Sequence, residues 1–364
     1  MTSRRELLRV AAITGAAGLA GLPMHKQTAA APVALHLSHV VVNGLANPED
    51  LELIPGSDWI ITSGGPGAKG RKARTFFVNS RTREVRAAYP ENCTLTLDRE
   101  SFGDIAPPEA IRFHGLDVGR TKGGEIVLYQ INHVVPAEPG HMVGRESIEV
   151  FHIELGPHGP SLHWRGAILL PSWTAANDCC ALPEGGVAVT STTFGGFEGF
   201  PMMLSGKSSG QVLEWHDRSE GWSIVEGTDL NSPNGIAVSP NGEYFFICSW
   251  AVRKFHRISR RSPHSDRTTI DVGALADNVT WTPDGALLIA GQLSDMPSLM
   301  HQSQTGNFDV GFRATRVDPV TMKSAVLLEA NPGGCMISTA QLTVPGDIWL
   351  GDVGLEDRLL VYGS

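Results

Sequence analysis

The chain has 364 residues, with 41 Gly, 23 Pro, 18% charged residues and a formal net charge of −9. So Gly-rich and charge-poor a composition excludes a disordered chain, a coiled coil and a long helical repeat, and the acidic balance excludes a nucleic-acid binder that works through bulk electrostatics. Five Cys, an odd and low count, exclude a disulfide scaffold.

Residues 1–30 read as an address. Arg4 and Arg5 precede a weakly apolar Ala/Gly stretch from Val10 to Leu22, followed by small residues around Ala29–Ala31. A paired Arg, a mild hydrophobic region and a small-residue cleavage zone in that order predict a twin-arginine export signal, with the export machinery as a partner. Arg4, Arg5, Arg9 and Lys26 stand against Glu6, so removal of the leader takes the net charge from −9 to −12. The apolar run is shorter than the ~20 residues a membrane span needs, so no stable anchor is expected once the leader is gone. Residues 31–364 are expected to form one domain in the periplasm or outside the cell.

That remainder repeats one phrase six times: a turn with Gly, then an apolar run. The turns centre on Gly56, Gly124, Gly186, Gly242, Gly285 and Gly346, spaced 68, 62, 56, 43 and 61 residues apart. Each predicts a tight turn feeding a buried strand, and six such units with no linker predict an all-β, six-bladed propeller of four-stranded blades. A pair of β-sandwiches is the alternative.

A polar residue precedes each of these glycines by seven to ten positions: Glu49, His114, Asn177, Asn234, Asp277 with Asn278, and Ser338. The same position of each innermost strand lines a propeller's channel, so residues far apart in sequence become a ring. Glu49, Asn177, Asn234, Asp277 and Asn278 make an all-oxygen set carrying two negative charges. It suits Ca²⁺ and, without a Cys or His cluster, does not suit Zn²⁺. Asp50 and Asp178 follow two ring positions; they either hold a second Ca²⁺ or cap backbone N–H groups. His114 and His133, ending neighbouring strands of one blade, can hydrogen-bond so that one orients the other as a general base.

These residues resemble the paraoxonase (arylesterase) family. The resemblance runs through Glu49-Asp50-Leu51-Glu52-Leu53-Ile54-Pro55, Phe113-His114-Gly115, Asn132-His133, the segment from Glu146 to Phe151, Asn177-Asp178, Asn234-Gly235-Ile236, Asp277-Asn278 and Ser338-Thr339. It implies a propeller with two central calcium ions that hydrolyses lactones and aryl esters. By that similarity Glu49, Asn177, Asn234, Asp277 and Asn278 match the catalytic-calcium ligands, Asp50 and Asp178 the structural-calcium ligands, and His114 and His133 the catalytic dyad. The related gluconolactonase family shares the metal set, with the Asp proposed as acid/base.

This chain departs from the animal enzymes in three places. It has no Cys before Cys93, so their terminal disulfide cannot form, and closure is expected from strand pairing by Leu35–Val42. After Asp277-Asn278 the strand runs Ile289-Ala290-Gly291-Gln292 without the His they carry there, and Phe194–Gly210 is Gly/Ser-rich where they have a membrane-facing helix. The expected function is calcium-dependent hydrolysis of a small-molecule lactone or aryl ester. The alternatives are a sugar lactonase using Asp277 as base, and a non-catalytic propeller stiffened by calcium.

Overall fold

The computed structural model describes residues 38–66, 71–138, 141–195, 199–354 and 357–363. The leader lies outside the described residues. The rest is a six-bladed β-propeller. Blade 1 runs Pro48–Leu53, Trp59–Gly64, Arg74–Asn79 and Val85–Tyr89 from the axis outward; blades 3 to 5 repeat this meander from Ala176–Ala181, Pro233–Val238 and Leu275–Trp281 as innermost strands. In blade 6, Ile337–Leu342, Ile348–Asp352 and Arg358–Tyr362 are completed by His39–Asn43 from the other end of the chain. That antiparallel pairing, from His39 opposite Tyr362 to Asn43 opposite Arg358, closes the ring without a disulfide. It overlaps the expected closing segment Leu35–Val42 and runs one residue past it, while Leu35–Leu37 are outside the described residues.

Blade 2 differs from the four-stranded expectation. Beyond Phe113–Arg120, Ile126–Asn132, Ser147–Gly156 and Gly159–Leu169 it carries a fifth strand, Cys93–Leu95, paired in parallel at its outer edge. A small hairpin, Val135–Glu138 with His141–Val143, rises from its second connection. Short helices at Phe200–Leu204 and Met296–Thr305 also interrupt the strand pattern. Among the described residues, no helix is long and apolar enough to cross a membrane.

The six glycines sit in the turns between first and second strands, each with positive φ, from 71° at Gly242 to 99° at Gly346. A Cβ is disfavoured in that backbone region, so Gly is the residue that forms these turns at little cost. The second strands are buried on both faces, as in Trp59–Gly64, because blades pack face to face. Their sequences are therefore continuous apolar runs, such as Phe245-Phe246-Ile247-Cys248. The core lies between blades: Trp59, Phe77, Tyr89 and Ile54 of blade 1 meet Phe113, Phe151 and Trp164 of blade 2. Each large side chain buried this way contributes about 1.5–3 kcal/mol. Cys179, Cys180 and Cys248 are free, buried packing residues, as their apolar surroundings predict.

Candidate functional site

Every innermost strand breaks register where its ring residue lies. The shifts fall at Pro48/Leu51, Phe113/Leu116, Ala176/Cys179, Pro233/Ile236, Ala276/Val279 and Ile337/Thr339. These are β-bulges, which re-aim side chains and increase local twist. Sixfold repetition puts Glu49, His114, Asn177, Asn234, Asp277 and Ser338 in equivalent bulges, all buried. The bulges lie tight against their neighbours. A Cβ on Gly115 would stand 2.6 Å from the Asn177 carbonyl oxygen and from Asp178 Cα, and one on Gly235 would stand 2.5 Å from the Asp277 carbonyl oxygen.

Contacts within the ring show which predicted residues converge. Asn278 Nδ2–H donates to Glu49 Oε1 at 3.1 Å and to the Glu49 carbonyl at 3.3 Å, across 229 residues of sequence. His114 Nε2 lies 3.5 Å from the same Oε1. Ser338 Oγ–H donates to the Glu49 carbonyl at 2.6 Å, so its hydroxyl supports the backbone of blade 1. The amide oxygens of Asn177, Asn234 and Asn278 are buried and find no hydrogen-bond partner within the protein. A buried acceptor left so costs about 1–3 kcal/mol, and three on one ring is the donor set a hard cation satisfies. Among the described residues no three His, Cys, Asp or Glu side chains group as ligands by themselves; any metal here depends on the amides.

Asp50 and Asp178 are the inner braces between blades. Asp50 accepts N–H from Leu51 at 2.9 Å and from Leu116 of blade 2 at 2.9 Å, and the Thr339 hydroxyl of blade 6 at 3.1 Å. Asp178 accepts N–H from Cys179 at 2.7 Å and from Ile236 of blade 4 at 2.8 Å. Of the two roles left open, these hydrogen bonds are those of the cap. Burial nevertheless pushes Asp50 up to about 7 against the pull of those N–H groups. Asp178 is raised well above the usual carboxylate range by burial, then by the negative charges of Asp50 and Glu49. Burial and mutual repulsion thus disfavour the charged forms of both carboxyls on the axis.

The two histidines meet as expected, in a line with a third group the sequence reading left out of the site. His133 Nδ1 is 2.6 Å from Glu146 Oε2, and His133 Nε2 is 3.4 Å from His114 Nδ1. Glu146 also accepts the Val134 N–H at 3.1 Å. Burial acts to raise its carboxyl, but the charge and hydrogen bond of His133, the Val134 N–H and the Arg112 charge together hold it below the usual range. An ionised Glu146 accepts a hydrogen bond from His133 Nδ1–H. With both rings neutral, His133 Nε2 accepts from His114 Nδ1–H, and His114 Nε2, 3.5 Å from Glu49 Oε1, carries no proton; these tautomers are assigned from the network. Register brings Glu146 there: Ser147 pairs with Asn132, so the preceding residue lies opposite His133.

Gln292 is a second residue outside the expected set. Its Nε2–H donates to Asp277 Oδ2 at 2.7 Å.

No family model matches the chain, and no curated protein matches it. Among solved structures, a candidate gluconolactonase superposes with a TM-score of 0.50 at 13% identity, over 90% of this chain and 92% of that one. A luciferin-regenerating enzyme gives 0.49 at 10% identity over 90% and 96%, and a streptogramin B lyase 0.47 at 8% identity over 89% and 97%. At 13% identity the first of these likenesses shows the fold alone.

Proposed function

We propose that the chain is a calcium-dependent hydrolase of lactones or aryl esters, resembling the paraoxonase family and exported by a twin-arginine leader. The observation that carries the reading is the trio of partnerless buried amide oxygens, on Asn177, Asn234 and Asn278, on a ring that also holds the buried carboxylates of Glu49 and Asp277. Glu49, Asn177, Asn234, Asp277 and Asn278 would hold the catalytic ion, and Asp50 and Asp178 a structural one. Bound there, Ca²⁺ supplies Lewis acidity toward an ester carbonyl and charge to offset a developing oxyanion.

The chain's own residues do the rest. Glu146 fixes the tautomer of His133, and His133 holds His114 by Nδ1, so that the unprotonated Nε2 faces the ring. A water between His114 Nε2 and a bound ester gives its proton to that nitrogen as it attacks the carbonyl carbon. The same proton then goes to the leaving oxygen, which returns His114 to its starting form. Burial between the blades keeps these polar groups in fixed positions.

A sugar lactonase with Asp277 as base is the second reading, and its support is the shared Glu/Asn/Asn/Asp pattern. The test is a turnover screen of purified protein in calcium buffer over aliphatic lactones, sugar lactones and aryl esters. Hydrolysis of the first or third class is expected. Turnover confined to sugar lactones would favour the second reading, and no turnover on any class would overturn both.

A further inference from the structure

Gln292 lies near the end of the second strand of blade 5, Leu287–Leu293, and is fully buried. Its hydrogen bonds fix which end of the amide is which. Trp250 Nε1–H donates to Gln292 Oε1 at 2.8 Å, and an indole N–H is a donor only, so the atom facing it is oxygen. Nε2 then donates twice, to Asp277 Oδ2 at 2.7 Å and to the Ile337 carbonyl of blade 6 at 2.6 Å. One amide therefore ties blades 4, 5 and 6 to a single carboxylate oxygen of the ring.

Trp250 belongs to the 3-10 turn Trp250–Val252 that leaves the second strand of blade 4. It packs against an apolar cluster of Met203, Leu275, Met296, Leu299 and Met300, drawn from the helices Phe200–Leu204 and Met296–Thr305 and the start of the blade 5 inner strand. Leu275 lies two positions before Asp277 on that strand, so the cluster stands at the ring's end of the channel. The line from this cluster to the ring thus runs through an indole, an amide and a carboxylate, each oriented by the one before it. A donor aimed at Oδ2 favours the charged carboxylate and fixes the rotation of its plane.

The geometry points to Gln292, oriented by Trp250, as a positioning residue that holds the Asp277 carboxylate in place as a metal ligand. This rests on the calcium reading above and deepens it by naming what orients one of the ligands. Side chains that orient a ligating carboxylate are worth about 10–100-fold in metal affinity.

Calorimetric calcium titration of the full chain tests it, using wild type, Gln292→Met, Trp250→Phe, Asp277→Ala and the double variants. Gln292→Met is expected to raise the calcium Kd about tenfold or more, and Trp250→Phe to raise it by a smaller factor. In the Asp277→Ala background each should change the remaining affinity by less than about twofold, because the group they act on is gone. If Gln292→Met does not fold, Trp250→Phe carries the same cycle. Wild-type affinity in these variants, or an equal loss with and without Asp277, overturns the inference and leaves the calcium reading standing. A wild-type protein that binds no calcium overturns the calcium reading, and the inference with it.

Discussion

His114 is the residue on which the two enzyme readings diverge. Its Nδ1 is committed to His133, 3.4 Å away, and its Nε2 faces Glu49 at 3.5 Å. General-base assistance is worth about 10²–10⁴-fold, so His114→Gln should cut turnover by that factor while the calcium Kd stays unchanged. A variant within a few-fold of wild type on its best substrate would move the base to Asp277. Glu146→Gln replaces the acceptor that sets the His133 tautomer and should cost a smaller factor in kcat with KM unchanged. Full kcat would make Glu146 a brace only. The dyad was legible in the sequence because both histidines stand at strand ends of one blade. Glu146 was not, since its place depends on Ser147 pairing with Asn132 across a 13-residue excursion from His133. A register argument applied to that hairpin would have found it. Gln292 was noted only as a departure from the resemblance, and its link to Asp277 spans 15 residues and needs the bulge at Ala276/Val279.

At the scale of the strand, the bulge is what turns a repeat into a site. Six glycine turns at near-constant offset from a polar residue gave the ring its register, and each lies where the turn pattern placed it. The bulges themselves left no mark in the pattern, because an extra residue in an apolar strand does not change composition. They explain why pairs such as Glu49-Asp50 and Asn177-Asp178 both serve the axis, where simple alternation would send the second residue outward. The small residue after His114 and Asn234 follows from the same packing. Gly115→Ala and Gly235→Ala would each press a methyl onto backbone of the next blade at about 2.5–2.6 Å. Overpacking of this kind costs about 1–3 kcal/mol, read as a lower denaturant midpoint. Unchanged midpoints would mean the bulges yield without strain.

For the whole molecule, stability and pH are linked through groups the fold has buried. His256 is depressed to about 4, chiefly by burial and then by the nearby Arg267 and Lys254 charges, and it is held by the Thr269 and Ser249 hydroxyls at 2.9 Å and 3.0 Å. A depressed imidazole is bound to fewer protons in the folded chain than in the unfolded one. Its contribution is therefore complete above an unfolded value of about 6.5 and is lost as pH falls toward 4, at about 1.4 kcal/mol per unit. Wild type should lose stability between pH 6.5 and 4.5 more steeply than His256→Gln. Equal slopes would show that His256 charges without cost. The propeller and its closure by strand pairing were legible in the sequence because repeats and turns are local signals. The fifth strand of blade 2 and the short helices were not, since Cys93–Leu95 pairs in parallel with a strand some 70 residues later. The proposed export leader lies outside the described residues, and its test is cleavage and periplasmic recovery of an expressed full-length chain.

A cation bound to oxygens from blades 1, 3, 4 and 5 would join those blades through the axis. Ligand binding to the folded state alone stabilises by about 4 kcal/mol at a thousandfold excess over Kd, so chelation should lower Tm. The most direct measurement is turnover of the best ester or lactone by protein stripped with chelator and then supplied with calcium or magnesium. The account predicts loss of activity on stripping, recovery with calcium, and little recovery with magnesium, whose rigid octahedral demand ligands fixed on four separate blades meet poorly. Full turnover in excess chelator would contradict it.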